Sequence, residues 1–461
     1  MKQIILAVAV ATALAACATK ESKLSLNPEV PGLSLPKSAK IESVSIERWW
    51  TLFGDPALER LVDEALAHNA DLESAVARVR EAQAALGVAR AAQLPTLDAK
   101  GSTSRAHQGE TFNTRRFSLE AGYEADLWGK LSASTAAARQ QLFASEWARA
   151  TVEWSLSASV AEAYFELAAV DRQIEISDAV RTSRLGTVLL RKKEHGVGAG
   201  SEFDLRRSEA ELGATDSSLA ALGRQRAALE HVLALLTGRS AQEIATGRFT
   251  PATLDESKAV QSVLPRGEAA DLLVRRPDLR QAEAQLAAAN ASIDAARAAT
   301  LPSLRLTGSV GSDASAVSNL FSGPAAIWSL GASLAQPIFD GGRLRARVKE
   351  EEARGEQALA LYRKAVATAV ADVREAYANL DLTEQAFQAE RNRVVSLARA
   401  YELARRGHGA GALGYLDLLD AERNLYQAQL DHVGAYRDQL VGQVAAFKAL
   451  GGGYVNPGST L

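Results

Sequence analysis

Few side chains in this sequence are placed to do covalent chemistry. The six histidines, His68, His107, His195, His231, His408 and His432, are scattered without metal-ligand spacing. No glycine-rich loop leads from a strand into a helix to cradle a phosphate. The single cysteine, Cys17, cannot form an internal disulfide. What remains is a pair of carboxylates, Asp417 and Asp420, three apart on the first turn of the last helix, with Leu416 just before them. Carboxylates there are stabilised by the helix dipole. Leu416 and Asp420 are four apart and so share a helix face. The chemistry on offer is electrostatic and steric; no catalytic set is present and no cofactor is called for. The charge balance, 52 basic against 55 acidic residues for a net −3, does not suit a nucleic-acid partner.

The elements that position those residues come twice. Ala89-Arg-Ala-Ala-Gln-Leu-Pro-Thr-Leu97 is repeated as Ala296-Arg-Ala-Ala-Thr-Leu-Pro-Ser-Leu304, 207 residues on. Glu162-Ala-Tyr164 and Asp204-Leu205 return as Glu375-Ala-Tyr377 and Asp417-Leu418, 213 residues on. A unit of that length is too long for a solenoid repeat. It indicates two similar blocks arranged about an axis.

Each block pairs strands with long helices. Phe117, Leu119, Ala121, Tyr123, Ala125 and Leu127 alternate with Ser118, Glu120, Gly122, Glu124 and Asp126. That period of two predicts a strand with one apolar and one polar face. A first strand spans about 96–105, and polar residues 106–114 are expected to form the connecting loop. The second hairpin is expected over about 303–336, with Leu304, Leu306, Val310, Trp328, Leu330, Ala332 and Leu334 on its apolar face. Ten-residue strands of this pattern suit a membrane barrel with a wet lumen. Trp128, Trp328 and Phe339, near strand ends, suit an interfacial belt or the junction of barrel and helix. Four strands cannot close a barrel, because bacterial barrels begin at about eight. Several copies must therefore assemble: two would give eight strands and three twelve, and eight leaves an interior filled by side chains, whereas a conduit needs more.

Lys130–Glu194 and Gly342–Arg406 are each 65 residues with no proline. Such a helix would reach about 97 Å at a rise of ~1.5 Å per residue. Leu359, Val366, Val373, Leu380, Phe387, Val394 and Tyr401 recur every seven residues, as do Leu419, Tyr426, Val433, Leu440 and Phe447. Heptads of this kind form a coiled-coil seam. Helices over 71–93 and 203–237, and over 278–300 and 416–450, nearly match a long helix when stacked end to end. Each block thus supplies one continuous and one broken rod. The glycine-dense runs Gly196–Gly200 and Gly407–Gly414 mark the reversals between rods.

The N-terminus reads as an address. Lys2, the apolar run Ile4–Leu14 and Leu14-Ala-Ala-Cys17 make residues 1–16 a signal peptide ending in a lipobox-like site. Cys17 would become the lipid-bearing first residue of the mature chain, with Ala18 favouring outer-membrane placement. Pro28, Pro31 and Pro36 make 17–45 an extended tether. The first repeat is placed at 46–238, a connector at 239–277, the second repeat at 278–451 and a tail at 452–461.

Several motifs together resemble the TolC family: Trp49-Trp50 with Phe53-Gly-Asp-Pro56, Asn69-Ala-Asp-Leu72, Asp126-Leu-Trp-Gly-Lys130, Arg275-Arg-Pro-Asp-Leu279, Gln336-Pro-Ile-Phe-Asp-Gly-Gly-Arg-Leu344 and Leu418-Leu-Asp-Ala-Glu-Arg423. The likeness, over roughly 45–455, is greatest to its lipoprotein branch, the OprM/NodT-type channels. That resemblance implies an α+β membrane protein. Three chains would form a 12-stranded outer-membrane barrel continued by a long α-helical periplasmic barrel, with an equatorial collar from residues near 45–68, 238–277 and the C-terminus. It implies a non-enzymatic exit duct for drugs and other small toxic compounds, partnered by a periplasmic adaptor and an inner-membrane proton-driven RND transporter. Val197, Gly200, Ser201 and Asp204 match the family's adaptor-facing tip. Gly409 and Gly411 belong to the second tip, which departs from the family pattern at Gly411-Ala-Leu-Gly414. Leu416, Asp417 and Asp420 align with the closed periplasmic end. Three Asp420 carboxylates around one axis would favour cations, with the leucines blocking passage. A duct for protein secretion or metal efflux is the alternative on the same fold. A periplasmic coiled-coil spacer is the alternative in another class.

Overall fold

The computed structural model describes residues 48–240, 242–243, 275–315 and 326–451. The signal segment 1–16, Cys17, the tether, most of the 239–277 connector and the 452–461 tail lie outside the described residues. The chain divides into two compact units. Of the described residues, one holds those of 77–148 and 278–365; the other holds those of 48–76, 149–277 and 366–451.

The first unit carries a four-stranded antiparallel sheet of β1 (Thr96–Gln108), β2 (Glu110–Ala125), β3 (Ser303–Ala314) and β4 (Ala326–Ala335), in that order. Pairing of β2 with β3 joins the two repeats, with Leu119 opposite Val310 and Tyr123 opposite Leu306. The expected loop at 106–114 is strand on both sides of a turn at Gly109, whose φ is +80°. The ladder continues although the residues are polar, because backbone pairing does not require an apolar face. Leu127 lies past the end of β2, in the turn leading to the next helix.

The two faces of the sheet differ in chemistry. On one, Lys100 pairs with Glu120 at 2.7 Å and Arg116 with Asp313 at 2.7 Å. The hydroxyls of Ser309 and Ser329 are 2.8 Å apart on the same face. On the other, Trp328 is 80% and Leu330 83% exposed, and Phe117, Leu119, Leu306, Val310 and Leu334 are also bare. A contiguous apolar face of this kind suits lipid, not water. The outer edges of β1 and β4 have no partner among the described residues. Trp128 serves the junction: its indole N–H donates to the carbonyl of Pro302 at 2.7 Å.

Seven α-helices are described: α1 (Pro56–His68), α2 (Ala70–Ala91), α3 (Lys130–Gly196), α4 (Glu202–Leu236), α5 (Pro277–Ala298), α6 (Arg343–Gly409) and α7 (Tyr415–Ala449). The long α3 and α6 are both 67 residues. Each starts on an aspartate. Asp126 accepts from the N–H groups of Leu131 and Ser132, and Asp340 from those of Gly342 and Leu344. The Leu344 N–H holds the Asp340 carboxyl below its ordinary pKa. No described helix is long and apolar enough to cross a membrane.

In the second unit the broken rods meet at equivalent joints. Asn69 accepts from the N–H groups of Asp71 and Leu72 at the start of α2, while its amide donates to the Leu236 carbonyl at the end of α4. Arg276, 207 residues on, precedes α5 and donates to the Ala449 carbonyl at the end of α7. It also pairs with Asp372 at 2.8 Å and lies 5.4 Å from the Trp154 ring. Both joints thus answer orphan helix-end carbonyls with a side chain from the next segment. Gly238 is required at the first joint: φ is +70° and an added Cβ would lie 2.0 Å from the His68 carbonyl oxygen.

The short 3-10 helix Trp49–Phe53 anchors the N-terminal side. Trp49 stacks on Phe447 with centroids 5.4 Å apart, and Phe53 meets Phe165 at 4.9 Å. Asp55 caps α1 through Ala57 N–H and accepts from the Tyr164 hydroxyl at 2.5 Å. Burial, then that carboxylate, pushes the Tyr164 hydroxyl well above its ordinary pKa.

Candidate functional site

The helix hairpins α3–α4 and α6–α7 end in turns of one design. In the first, Gly198 has φ +74°, and Ala199 N–H donates back to Glu194 O at 2.8 Å. In the second, Gly411 has φ +71°, and Ala412 N–H donates back to Gly407 O at 2.8 Å. Both are Schellman closures, which require the left-handed conformation that glycine adopts without strain. A histidine braces each turn: His195 Nδ1 donates to Gly200 O at 3.4 Å and His408 Nδ1 to Leu413 O at 3.1 Å. These pairs are equivalent under the 213-residue repeat.

The fillings differ. An added Cβ on Gly200 would lie 2.8 Å from the Glu194 Cβ. In the second turn the glycine is on the other side of the same contact, Gly407 facing Leu413 at 2.7 Å. The helix starts differ as well. Ser201 caps α4 by accepting the Phe203 N–H at 3.1 Å. Gly414 has no side chain to cap α7, and Asp417 accepts the Gly414 N–H at 3.0 Å instead. Asp417 therefore serves the helix start, where the dipole also favours it.

Val197 is 79% exposed, and Gly200, Ser201, Gly409 and Gly411 are also at the open ends of the hairpins. Asp204 is half-buried one turn into α4. Leu416 is 49% exposed on α7. Asp420, also exposed, accepts from the Asn424 amide at 3.0 Å and meets no cation among the described residues.

Behind the tips lies a polar seam not picked out in the sequence. Ser177, Arg184 and Arg191 recur at seven-residue spacing along α3. The buried Arg184 pairs with Glu422 on α7 at 3.1 Å, donates to Thr215 Oγ1 on α4 at 2.7 Å and lies 5.6 Å from the Tyr426 ring. The hydroxyls of Ser177 and Tyr426 are 2.9 Å apart, as are those of Ser208 and Tyr415. Arg191 lies 4.2 Å from the Tyr415 ring and pairs with Glu194 at 2.8 Å. Beside this seam is a cleft of about 320 Å3 lined by Ile176, Leu425, Tyr401 and Tyr426 with Arg172 and Glu175. Polar residues at heptad positions were the available signal. Their partners, hundreds of residues away, were not.

Ion pairs also tie the four helices together. Arg181 pairs with Asp216 and Arg226 with Asp171, joining α3 to α4. Arg184 joins α3 to α7, and Arg393 with Asp431 joins α6 to α7. α4 also meets α7 directly, through Ser208 with Tyr415 and Glu211 with Arg423. Among the described residues no three His, Cys, Asp or Glu side chains gather as a metal site.

Known proteins share this arrangement. The family described as outer membrane efflux protein matches residues 61–239 and 269–452. The pyoverdine export outer membrane protein OpmQ of Pseudomonas aeruginosa is 33% identical over 433 residues, covering 90% of each chain. The cation efflux system protein CusC of Escherichia coli is 31% identical, covering 88% of each chain. The crystal structure of the open state of the Neisseria gonorrhoeae MtrE outer membrane channel superposes with a TM-score of 0.83 at 30% identity, over 95% of this chain and 98% of that one.

Proposed function

The chain belongs to the outer membrane efflux protein family, and we propose that it is the passive exit duct of a tripartite pump. It is an outer-membrane efflux channel of the trimeric β-barrel and helical-barrel class. The observation that carries the reading is the sheet: four strands, two open edges and one bare apolar face per chain. In lipid the open edges must be paired, and a ring of copies does so. The ion pairs and hydroxyls then face a wet lumen. Small toxic organic compounds are the cargo proposed, passed on by an RND transporter. The relatives carry names for different cargo, pyoverdine in one and cations in another, as suits a duct whose pump makes the choice.

The remaining roles follow from position. Cys17 carries the lipid that tethers the mature chain. Val197, Gly200, Ser201, Asp204, Gly409 and Gly411, on the exposed hairpin ends, receive the periplasmic adaptor. Leu416 and Asp420 close the periplasmic end, with Asp417 holding the start of α7. Planar-bilayer recording of the purified protein is the test. Small, infrequent openings are expected for the wild type, and larger ones for Leu416→Ala. Absence of conductance from the wild type and from Leu416→Ala alike would leave a spacer, not a duct.

A further inference from the structure

The apolar face of the sheet ends in arginine. On β2 this face runs Ala125, Tyr123, Ala121, Leu119 and Phe117, and its next residue is Arg115. Four steps of two residues span about 27 Å along the strand, or about 21 Å in height at a tilt near ~40°. That is close to the ~25 Å apolar band of an outer-membrane barrel. On β1 the same face ends in Thr103, Arg105 and His107. The register puts Arg115 opposite Thr103 and Arg105 opposite Asn113. The two arginines are therefore diagonal neighbours, about 7–8 Å apart. Both lie at the end of the sheet away from the helices, which follow or precede the strand ends at Thr96, Ala125, Ser303 and Ala335.

The two faces treat their cations differently. Arg116, next to Arg115 but on the polar face, pairs with Asp313 at 2.7 Å, and Lys100 pairs there with Glu120. The apolar face carries no Asp or Glu among the described residues. Arg105 is exposed and makes no ion pair among them. Arg115 donates through Nη1 to the Ser315 carbonyl at 2.6 Å, which positions the guanidinium and leaves its charge unanswered. Neighbouring cations on one face repel each other unless an anion is supplied from outside. In an outer-membrane barrel whose helices extend into the periplasm, this level meets the headgroups of the outer leaflet. A guanidinium fork matches phosphate oxygens. We infer that Arg105 and Arg115 form a site for a phosphate group of an outer-leaflet glycolipid, present once on each chain. This rests on the reading of the bare face as lipid-facing. The apolar band beside the site takes the acyl chains, so an amphiphile is recognised and not a free anion.

Lipid titration of the detergent-extracted assembly tests this, with native mass measurement confirming that each variant assembles as the wild type does. The probes are lipid A bearing both phosphates, the same lipid A dephosphorylated, and inorganic phosphate. The wild type is expected to bind the phosphorylated lipid roughly ten-fold or more tightly than the dephosphorylated one. Arg105→Gln and Arg115→Gln should each weaken that binding about five-fold and leave the dephosphorylated lipid unaffected. Arg116→Gln, one residue away on the opposite face, should change neither. Equal affinity for the two lipids, or an equal loss in Arg116→Gln, would overturn the site. Displacement of the lipid by inorganic phosphate at matching concentration would make the ligand a free anion and overturn the lipid assignment. Insertion into phosphatidylcholine vesicles separates the two readings. A wild type that inserts but shows no phosphate preference sinks the site alone; one that binds neither lipid and inserts nowhere sinks the lipid-facing reading with it.

Discussion

The two hairpin tips share a backbone and differ in what fills it. Gly198 and Gly411 take the same left-handed turn, and His195 and His408 brace it through the same nitrogen. Around that frame the contact between Glu194 and Gly200 is answered by Gly407 and Leu413, Ser201 by Gly414, and the Phe203–Arg207 face by Leu416–Asp420. The turn is therefore the structural constant, and the side chains it presents are where the repeats have been given different work. The seams behind the tips diverge in the same way. Arg184 makes the α3–α7 seam polar, while its equivalent in the second repeat, Leu397, is half-buried and apolar.

Removing Arg184 should break this comparison most severely. Arg184→Ala leaves Glu422 and Glu211, 3.1 and 3.4 Å from the guanidinium, without their buried cation, a change that typically costs about 3–5 kcal/mol. Leu397→Ala should cost less in the isolated seam. Thermal denaturation in detergent, followed by loss of assembled protein, checks the order. An equal or smaller drop in midpoint for Arg184→Ala would show that the polar seam does not lock the tip.

Glycine substitutions sharpen the account of the fillings. Gly200→Ala pushes a methyl group against Glu194 and the His195 backbone, and overpacking of this kind costs about 1–3 kcal/mol. Gly409→Ala meets open space in the last turn of α6 and should be neutral or slightly stabilising. Amide hydrogen exchange at the two tips reads the difference; equal protection would mean that the two fillings are not sterically distinct.

Gly198→Ala and Gly411→Ala test what the tips share. Each forces an alanine into the left-handed region at about 1–2 kcal/mol, and the two should behave alike by the same exchange measurement. The smallest effects belong to the helix starts. Ser201→Ala removes a cap worth about 1 kcal/mol, whereas Gly414→Ser adds a cap for a gain of a few tenths. Opposite small shifts in midpoint are expected, and shifts of the same sign would contradict the capping assignments.

Much of the architecture was legible because its signals are local. The strands show as alternation from Phe117 to Ala125, the rods as long proline-free runs, and the tips as clustered glycine. The duplication is legible because Pro95 and Pro302 end equivalent helices. The turn at Gly109 was not: strand beyond the apolar band loses its alternation, so 106–114 resembled loop although its ladder continues. The Arg184 node was hidden for another reason. Its meaning depends on Glu422 and Tyr426, which only the packing of α3 on α7 brings near.

The central claim is that the open-edged sheets close only when three chains meet. Native mass measurement of the protein extracted in mild detergent, on the same preparation that conducts in bilayers, tests it most directly. The account predicts an assembly of three chains, each of 48.9 kDa for the full sequence, and no conductance from any smaller species. A folded single chain that conducts would contradict it.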